Sequence, residues 1–181
     1  MPVPVFTAGE VLTAANMNQV GLWLVKTQTI GSAVSSVTVT GAFSADYDNY
    51  KIIVSGGTAS TNVLIQFYLG SSAPANGYYG AVSKSTYAGV SAGITGMNNL
   101  GLIERIGYGT SNSIQANLEL INPFNTVNTT FFSNFASHVS GGDTGTVGGF
   151  VNDSASYTSF TIKPNTGTLS GGTICVYGYR N

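Results

Sequence analysis

The chain has 181 residues and a formal net charge of −1, and charged residues make up only 7% of it, against roughly 25% in an average soluble domain. This length suits one β-sandwich or barrel domain with a short appendage. Because the six lysines and arginines are scattered, the composition argues against nucleic acid as a partner, and the scarcity of acids, bases and histidine argues against an enzyme.

Residues 1–28 differ from the rest of the chain and are interpreted as an N-terminal anchor segment. The opening residues lack a basic region followed by an apolar run, so no secretory signal is expected. An extended stretch is expected first, followed by a short helix, since a threonine suited to the N-cap precedes Ala-Ala-Asn-Met-Asn. An earlier start of the helix is the alternative, because an upstream threonine and glutamate also fit the spacing of a capping box. Leu12 and Met17 have the spacing of a hydrophobic staple. Met17, Val20 and Leu24 would form one apolar stripe on that helix.

Residues 29–181 change to an alternation of apolar and polar residues, which predicts half-buried antiparallel strands with one wet face. Turn sequences rich in Gly, Pro and Asn separate these strands, and the Gly- and Ser-rich residues 83–99 are expected to form a long loop. Eight or more short strands so spaced predict an all-β antiparallel sandwich, jelly-roll-like. The alternating runs are residues 37–40, 50–55, 63–69, 114–120, 160–163 and 174–177.

The longest uncharged stretch covers residues 52–83. It is interrupted by Gly, Ser, Thr and Asn, so it is not expected to span a membrane. Cys175 is the only cysteine. No intrachain disulfide and no cysteine-rich metal site are therefore expected.

The single histidine, His138, follows a strand pattern with two distinct faces. An outward histidine on the polar face is the preferred interpretation, and a metal site on a trimer axis, built from one histidine per subunit, is the alternative. One face carries Phe131, Phe135 and Val139, and the other carries Phe132, Asn134, Ala136 and His138.

One catalytic motif occurs, Gly-Val-Ser-Ala-Gly around Ser91, with Glu104 or Glu119 and then His138 following in the order of a hydrolase triad. The nucleophile elbow needs a strand, a sharp turn and a helix, whereas no helical pattern follows Ser91. In a chain so rich in Gly and Ser a chance match is expected. We therefore expect no catalytic residue.

Carboxylate pairs are scarce. Asp46 and Asp48 lie between two predicted strands, where capping of the turn is favoured over a calcium site. Glu104 and Glu119 could face each other across adjacent strands as in a glycosidase, but the sequence does not favour this over surface placement. No metal and no cofactor are expected.

Tyrosines are the better candidates for ligand contact. A tyrosine offers a flat apolar face with a polar tip, which suits sugar rings and protein interfaces. The alternative is that these side chains fill the core of the sandwich. The candidate glycan contacts near the Gly-rich segments are Tyr78, Tyr79, Tyr87 and Tyr108.

The sequence Phe-Thr-Ala-Gly-Glu-Val-Leu-Thr-Ala-Ala-Asn-Met-Asn at residues 6–18 resembles a segment common in bacteriophage tail-fibre and other virion proteins. In that family a phenylalanine and a glycine turn precede Leu-Thr-Ala and a helix ending in Met-Asn or Leu-Asn. The strands that follow, including Tyr-Asp-Asn-Tyr-Lys-Ile at residues 47–52, are more loosely similar to the β-domains of phage structural proteins.

The resemblance implies a virion component made in the host cytoplasm and displayed on a capsid or tail, commonly as a homotrimer. A short fibre, a knob or a decoration subunit is favoured, because no heptad shaft or repeat is present. The N-terminal segment would attach to another virion protein, and the β-domain would be displayed or would contact a host surface glycan. The residues expected at the particle or subunit interface are Phe6, Val11, Leu12, Met17, Val20, Trp23 and Leu24.

Overall fold

The computed structural model describes residues 8, 9, 11 and 21–179 of the chain. All regular secondary structure in these residues is β-strand, and every pair of strands is antiparallel, which confirms the predicted all-β antiparallel class. The strands are β1 (Trp23–Thr29), β2 (Val37–Thr40), β3 (Asn49–Gly56), β4 (Thr58–Ala59), β5 (Val63–Leu69), β6 (Tyr78–Thr86), β7 (Ser91–Leu100), β8 (Ile103–Gly109), β9 (Ile114–Ile121), β10 (Thr129–Ala136), β11 (Asp143–Val151), β12 (Ser159–Pro164), β13 (Leu169–Ser170) and β14 (Thr173–Tyr179).

Each of the six alternating runs in the sequence lies in a strand. The predicted loop at residues 83–99 is wrong, because β6 and β7 form a hairpin there whose turn lies at residues 87–90. Few apolar side chains mark these two strands, since Met97 is the only described buried residue of β7. Strand β7 is formed by backbone pairing with β6 and not by burial of an apolar face. Its sequence therefore lacks the alternation of apolar and polar residues from which a strand can be predicted.

The predicted N-terminal helix and extended stretch lie mostly outside the described residues. Where the prediction can be compared it is wrong, because Trp23 and Leu24 are in β1, which pairs with β14 as far as Thr29 opposite Thr173. The sequence of β1 is rich in Trp, Val and Thr, which favour strands. Residues 23–28, grouped with the anchor segment by sequence, therefore belong to the sheet. None of the described residues forms a helix that could cross a membrane.

Strand β9 is the branching point of a 12-stranded sheet. One edge of β9 pairs with β3 along its length, and β3 continues to β14 and β1. The other edge is shared, since the first part of β9 pairs with β8 and the last part with β10. The β8 branch continues through β5 and β12 to β2, and the β10 branch continues through β11 and β6 to β7.

The two branches contribute to one hydrophobic core. The ring of Phe43 lies 4.8 Å from that of Tyr50 in β3 and 5.7 Å from that of Phe160 in β12. Further along, the backbone N–H of Leu69 in β5 donates to the hydroxyl of Tyr78 in β6 at 2.7 Å. The Leu69–Tyr78 hydrogen bond joins the two branches, and the Phe43 contacts join β3 to the β8 branch.

Candidate binding groove on the outer face of the sheet

Side chains of β9 alternate between the core and an outer face. Ile114, Ala116, Leu118 and Leu120 are buried, whereas the intervening residues are half-buried. This period of two places Gln115, Asn117 and Glu119 on the outer face. In the neighbouring strands Glu119 is paired with Lys51 of β3 and with Phe132 of β10, so these three side chains form a row across the outer face.

The branching of the sheet opens a groove beside β9. Strand β10 pairs with residues 118–121 of β9, and this pairing ends at Ser133 opposite Leu118. Strand β8 pairs only with residues 114–116 of β9. The side chain of Gln115 bridges the gap, since its Nε2 donates to the carbonyl oxygen of Ala136 at 2.5 Å. A cavity of about 270 Å³ lies here, with Asn117 and Asn134 in its wall.

A smaller polar cavity of about 100 Å³ continues this groove. It is lined by Lys51, Asn117, Glu119, Phe132, Ser133 and Asn134. The hydroxyl of Tyr179 donates to a carboxylate oxygen of Glu119. Burial, followed by the hydrogen bond and the negative charge of Glu119, raises the pKa of Tyr179 above its usual range. The phenol thus remains a hydrogen-bond donor to the carboxylate up to a higher pH than an ordinary tyrosine would.

Exposed aromatic rings lie beside the polar cavity. Phe132 is 50% exposed and Phe150 is 40% exposed. Tyr79 stacks on Phe150 with ring centroids 5.4 Å apart and an interplanar angle of 14°. Phe132 is paired across the sheet with Gly148, two residues before Phe150, so the three rings share one area of the outer face. We call Phe132, Phe150 and Tyr79 the aromatic patch.

The predicted tyrosines occupy different environments. Tyr79 belongs to the aromatic patch, and Tyr87 is 49% exposed, with its hydroxyl donating to the carbonyl oxygen of Ser137. Tyr78 is 1% exposed, and burial raises the pKa of its hydroxyl. Tyr108 donates to Asp143 between the two branches. Of the four, the structure thus places only Tyr79 beside the groove.

The residues predicted at the particle interface are described in part. Val11 is 80% exposed and Leu24 is 57% exposed. Trp23 is half-buried, and its buried Nε1 has no hydrogen-bond partner among residues 8, 9, 11 and 21–179. The other four, Phe6, Leu12, Met17 and Val20, lie outside the described residues.

An ion-pair cluster joins the branches near the end of the β6–β11 ladder. Asp143 Oδ2 lies 3.0 Å from Arg105 Nη1 and 3.3 Å from Lys84 Nζ, and Tyr108 donates to Oδ1. The guanidinium carbon of Arg105 is 5.0 Å from the ring centroids of Tyr108 and Phe135. Burial alone would raise the pKa of Asp143, but the hydrogen bonds from Tyr108 and Arg105 outweigh it and hold that pKa below its usual value.

The catalytic candidates do not form a triad in the described structure. Ser91 is an exposed residue at the start of β7, so it does not follow the strand, turn and helix of a nucleophile elbow. His138 is exposed, and its Nδ1 lies 2.5 Å from Ser113 Oγ, a pair that the sequence analysis missed. Glu104 precedes the part of β8 that pairs with β9, which begins at Gly107. Glu119 lies where β9 pairs with β10, so Glu104 and Glu119 are not cross-strand partners.

Metal ligands are likewise dispersed. Among the described residues, no group of three or more His, Cys, Asp and Glu side chains could hold a metal ion. Asp46 accepts a hydrogen bond from Ser44 Oγ at 3.0 Å, and the backbone N–H of Asp46 donates to the same hydroxyl at 3.3 Å, so Ser44 rather than an aspartate caps the backbone of this turn.

Sequence reasoning placed Phe132 and Asn134 on the outer face but did not identify a groove. The one feature of the sequence that could have indicated a binding site was Phe132, an aromatic residue at an outward position of an alternating strand. The groove itself depends on where β8 and β10 leave β9, and this long-range pairing has no local signature in the sequence.

Two solved structures of infectious bursal disease virus, from the Gx and Gt strains, are similar to this chain at 12% and 11% sequence identity. The matches cover 99% and 84% of this chain and 47% and 40% of the viral chains, with TM-scores of 0.14 and 0.13. This chain therefore spans less than half the length of those viral chains, and such low TM-scores carry no argument. Neither a family model nor a curated protein matches the sequence.

Proposed function

We propose that this chain is a non-enzymatic structural protein of a bacteriophage particle, a fibre or decoration subunit that assembles as a homotrimer. Its N-terminal segment attaches to the particle, and its β-domain is displayed. The resemblance of residues 6–18 to virion proteins supports the location, and the low charge of the chain favours association over dispersal.

The observation that carries the proposal of self-association is the edge strand β7. It has ten residues, none of them charged and none of them proline. Its free edge has no strand partner among the described residues, and Ile94 on it is 76% exposed. Soluble proteins normally protect such an edge with charge, proline, a β-bulge or a covering element. The register of β7 against β6 shifts near both ends, but residues 93–97 pair regularly, so their outer backbone groups can pair with another chain.

The proposed architecture of the displayed domain is a β-sandwich of jelly-roll type. The branching at β9 and the single core shared by both branches support it. A sandwich subunit presents the outer faces of its sheets and its edges to neighbours, which suits side-by-side packing in a trimer.

Native mass spectrometry and sedimentation equilibrium of the purified full-length chain test self-association. The expected result is a trimer at micromolar concentration. The variant Ile94→Lys should be monomeric with an unchanged far-UV circular dichroism spectrum, because a lysine on the edge disfavours strand addition. A wild-type chain that stays monomeric at every concentration would overturn the proposed trimer.

A second candidate function is a carbohydrate-binding module for host recognition. The groove beside β9, with aromatic rings next to amide and carboxylate side chains, specifically favours this candidate.

A further inference from the structure

We propose that the groove beside β9 binds an uncharged oligosaccharide built of hexopyranose units, with one sugar ring packed on Phe132 and its hydroxyls bound by Asn117, Glu119 and Asn134. The inference rests on the second proposed function and names its ligand class and its residues. It does not depend on the virion location or on the trimer.

The ring of Phe132 supplies the apolar part of the site. It is half exposed although it lies in the middle of a sheet, flanked by β9 and β11. A Cβ at Gly148, the residue opposite, would be 3.1 Å from Phe132 Cδ1, so the glycine lets the ring lie against the sheet. One face of a pyranose ring is made of C–H groups and packs on an aromatic ring of this kind.

The polar groups beside Phe132 match hydroxyls better than they match ions. Lys51 and Glu119 contribute opposite charges to the same small cavity, and Asn117 and Asn134 contribute amides. Each amide both donates and accepts, as a sugar hydroxyl does. Because the two charges cancel, a strongly anionic or cationic ligand would meet no net attraction.

The length of the groove fits a chain of several sugars. The cavity of about 100 Å³ at Glu119, the cavity of about 270 Å³ at Gln115 and a third of about 410 Å³ all border Asn134. The third is lined mainly by hydroxyl-bearing residues. They are Ser83, Ser85, Thr144 and Thr146. The described lining thus offers an aromatic ring, amides and hydroxyls in turn, and the middle cavity adds the apolar residues Ile53, Val54 and Phe135.

Isothermal titration calorimetry with linear hexasaccharides of glucose, of mannose and of galactose tests the site. The full-length chain should bind at least one of the three. Phe132→Ala should weaken that binding about tenfold or more, which corresponds to about 1.4 kcal/mol, and Asn117→Ala should weaken it as well. Phe132→Tyr keeps the ring and should retain binding. The matched control is Val127→Ala, an exposed residue between β9 and β10 that does not line the groove, which should bind like the parent.

Two outcomes overturn the inference. They are failure of all three sugars to bind at millimolar concentration, and equal binding by the parent and Phe132→Ala, whether or not that variant remains a trimer. Circular dichroism of each variant identifies a folding defect. If Phe132→Ala is misfolded, the sugar affinities of Asn117→Ala and Phe132→Tyr test the site instead. A trimer that binds no sugar overturns only this inference, and a monomer that binds sugar overturns only the trimer.

Discussion

Each phenylalanine of β10 is paired with a glycine of β11. Phe131 lies opposite Gly149, Phe132 opposite Gly148 and Phe135 opposite Gly145. A Cβ at Gly149 would be 2.8 Å from Phe131 Cζ and 2.0 Å from the carbonyl oxygen of Tyr79. A glycine at that position therefore accommodates both a core ring and the close approach of β6.

Gly149→Ala is expected to destabilise the protein by about 2 kcal/mol or more, because β6 or the Phe131 ring must move. Gly96→Ala is the matched control, since nothing lies within 4 Å of a Cβ there. Its free energy of unfolding should change by less than about 0.5 kcal/mol. Urea denaturation followed by tryptophan fluorescence measures both. Equal effects of the two substitutions would show that space at Gly149 is not limiting.

Strands with an alternating apolar face could be predicted from sequence, and strands without one could not. Residues 63–69 and 114–120 alternate clearly and form β5 and β9. Strand β7 has one described buried side chain and was predicted as loop, and β1 was partly predicted as helix because Leu24 continued a helical spacing. Strand β7 is determined by pairing with its hairpin neighbour β6, and β1 by pairing with the distant β14. Local hydrophobic periodicity reports neither pairing.

The start of β1 at Trp23 allows the anchor segment to be tested separately from the sheet. Deletion of residues 1–20 should leave the melting temperature unchanged and abolish co-purification of the chain with assembled particles. Deletion of residues 1–28 removes most of β1 and exposes the edge of β14. This longer deletion should lower the melting temperature by about 5 °C or more. If the chain that lacks residues 1–20 still co-purified with particles, attachment through this segment would be contradicted. If that shortened chain misfolded, the segment would be part of the core.

The whole molecule depends on contacts that hold its two branches together. Asp143 of β11 binds Arg105 of β8 and Lys84 of β6, so one carboxylate joins both branches. The pKa of Asp143 is lowered in the folded protein. Its stabilising contribution is therefore complete above the unfolded pKa of about 4 and is lost as the pH falls through the lower folded pKa.

Asp143→Asn should lower the free energy of unfolding at pH 7 by about 2 kcal/mol, because two cations lose their partner. The difference from the parent should narrow as the pH falls below about 4. Asp153→Asn is the control, since the exposed Asp153 accepts from the neutral Ala155 N–H and Tyr157 hydroxyl. Thermal unfolding at a series of pH values measures all three proteins. A pH-independent difference would mean that the charge of Asp143 does not matter.

The position of β14 between β1 and β3 has a consequence for synthesis on the ribosome. Strand β1 is translated early, but among the described residues its strand partner is β14, the last strand. At about 5–20 residues per second, roughly 7 to 30 seconds pass between the synthesis of β1 and that of its partner. During translation its backbone is open to other nascent chains, so neighbouring ribosomes on one message could begin to associate the subunits before any of them has finished folding.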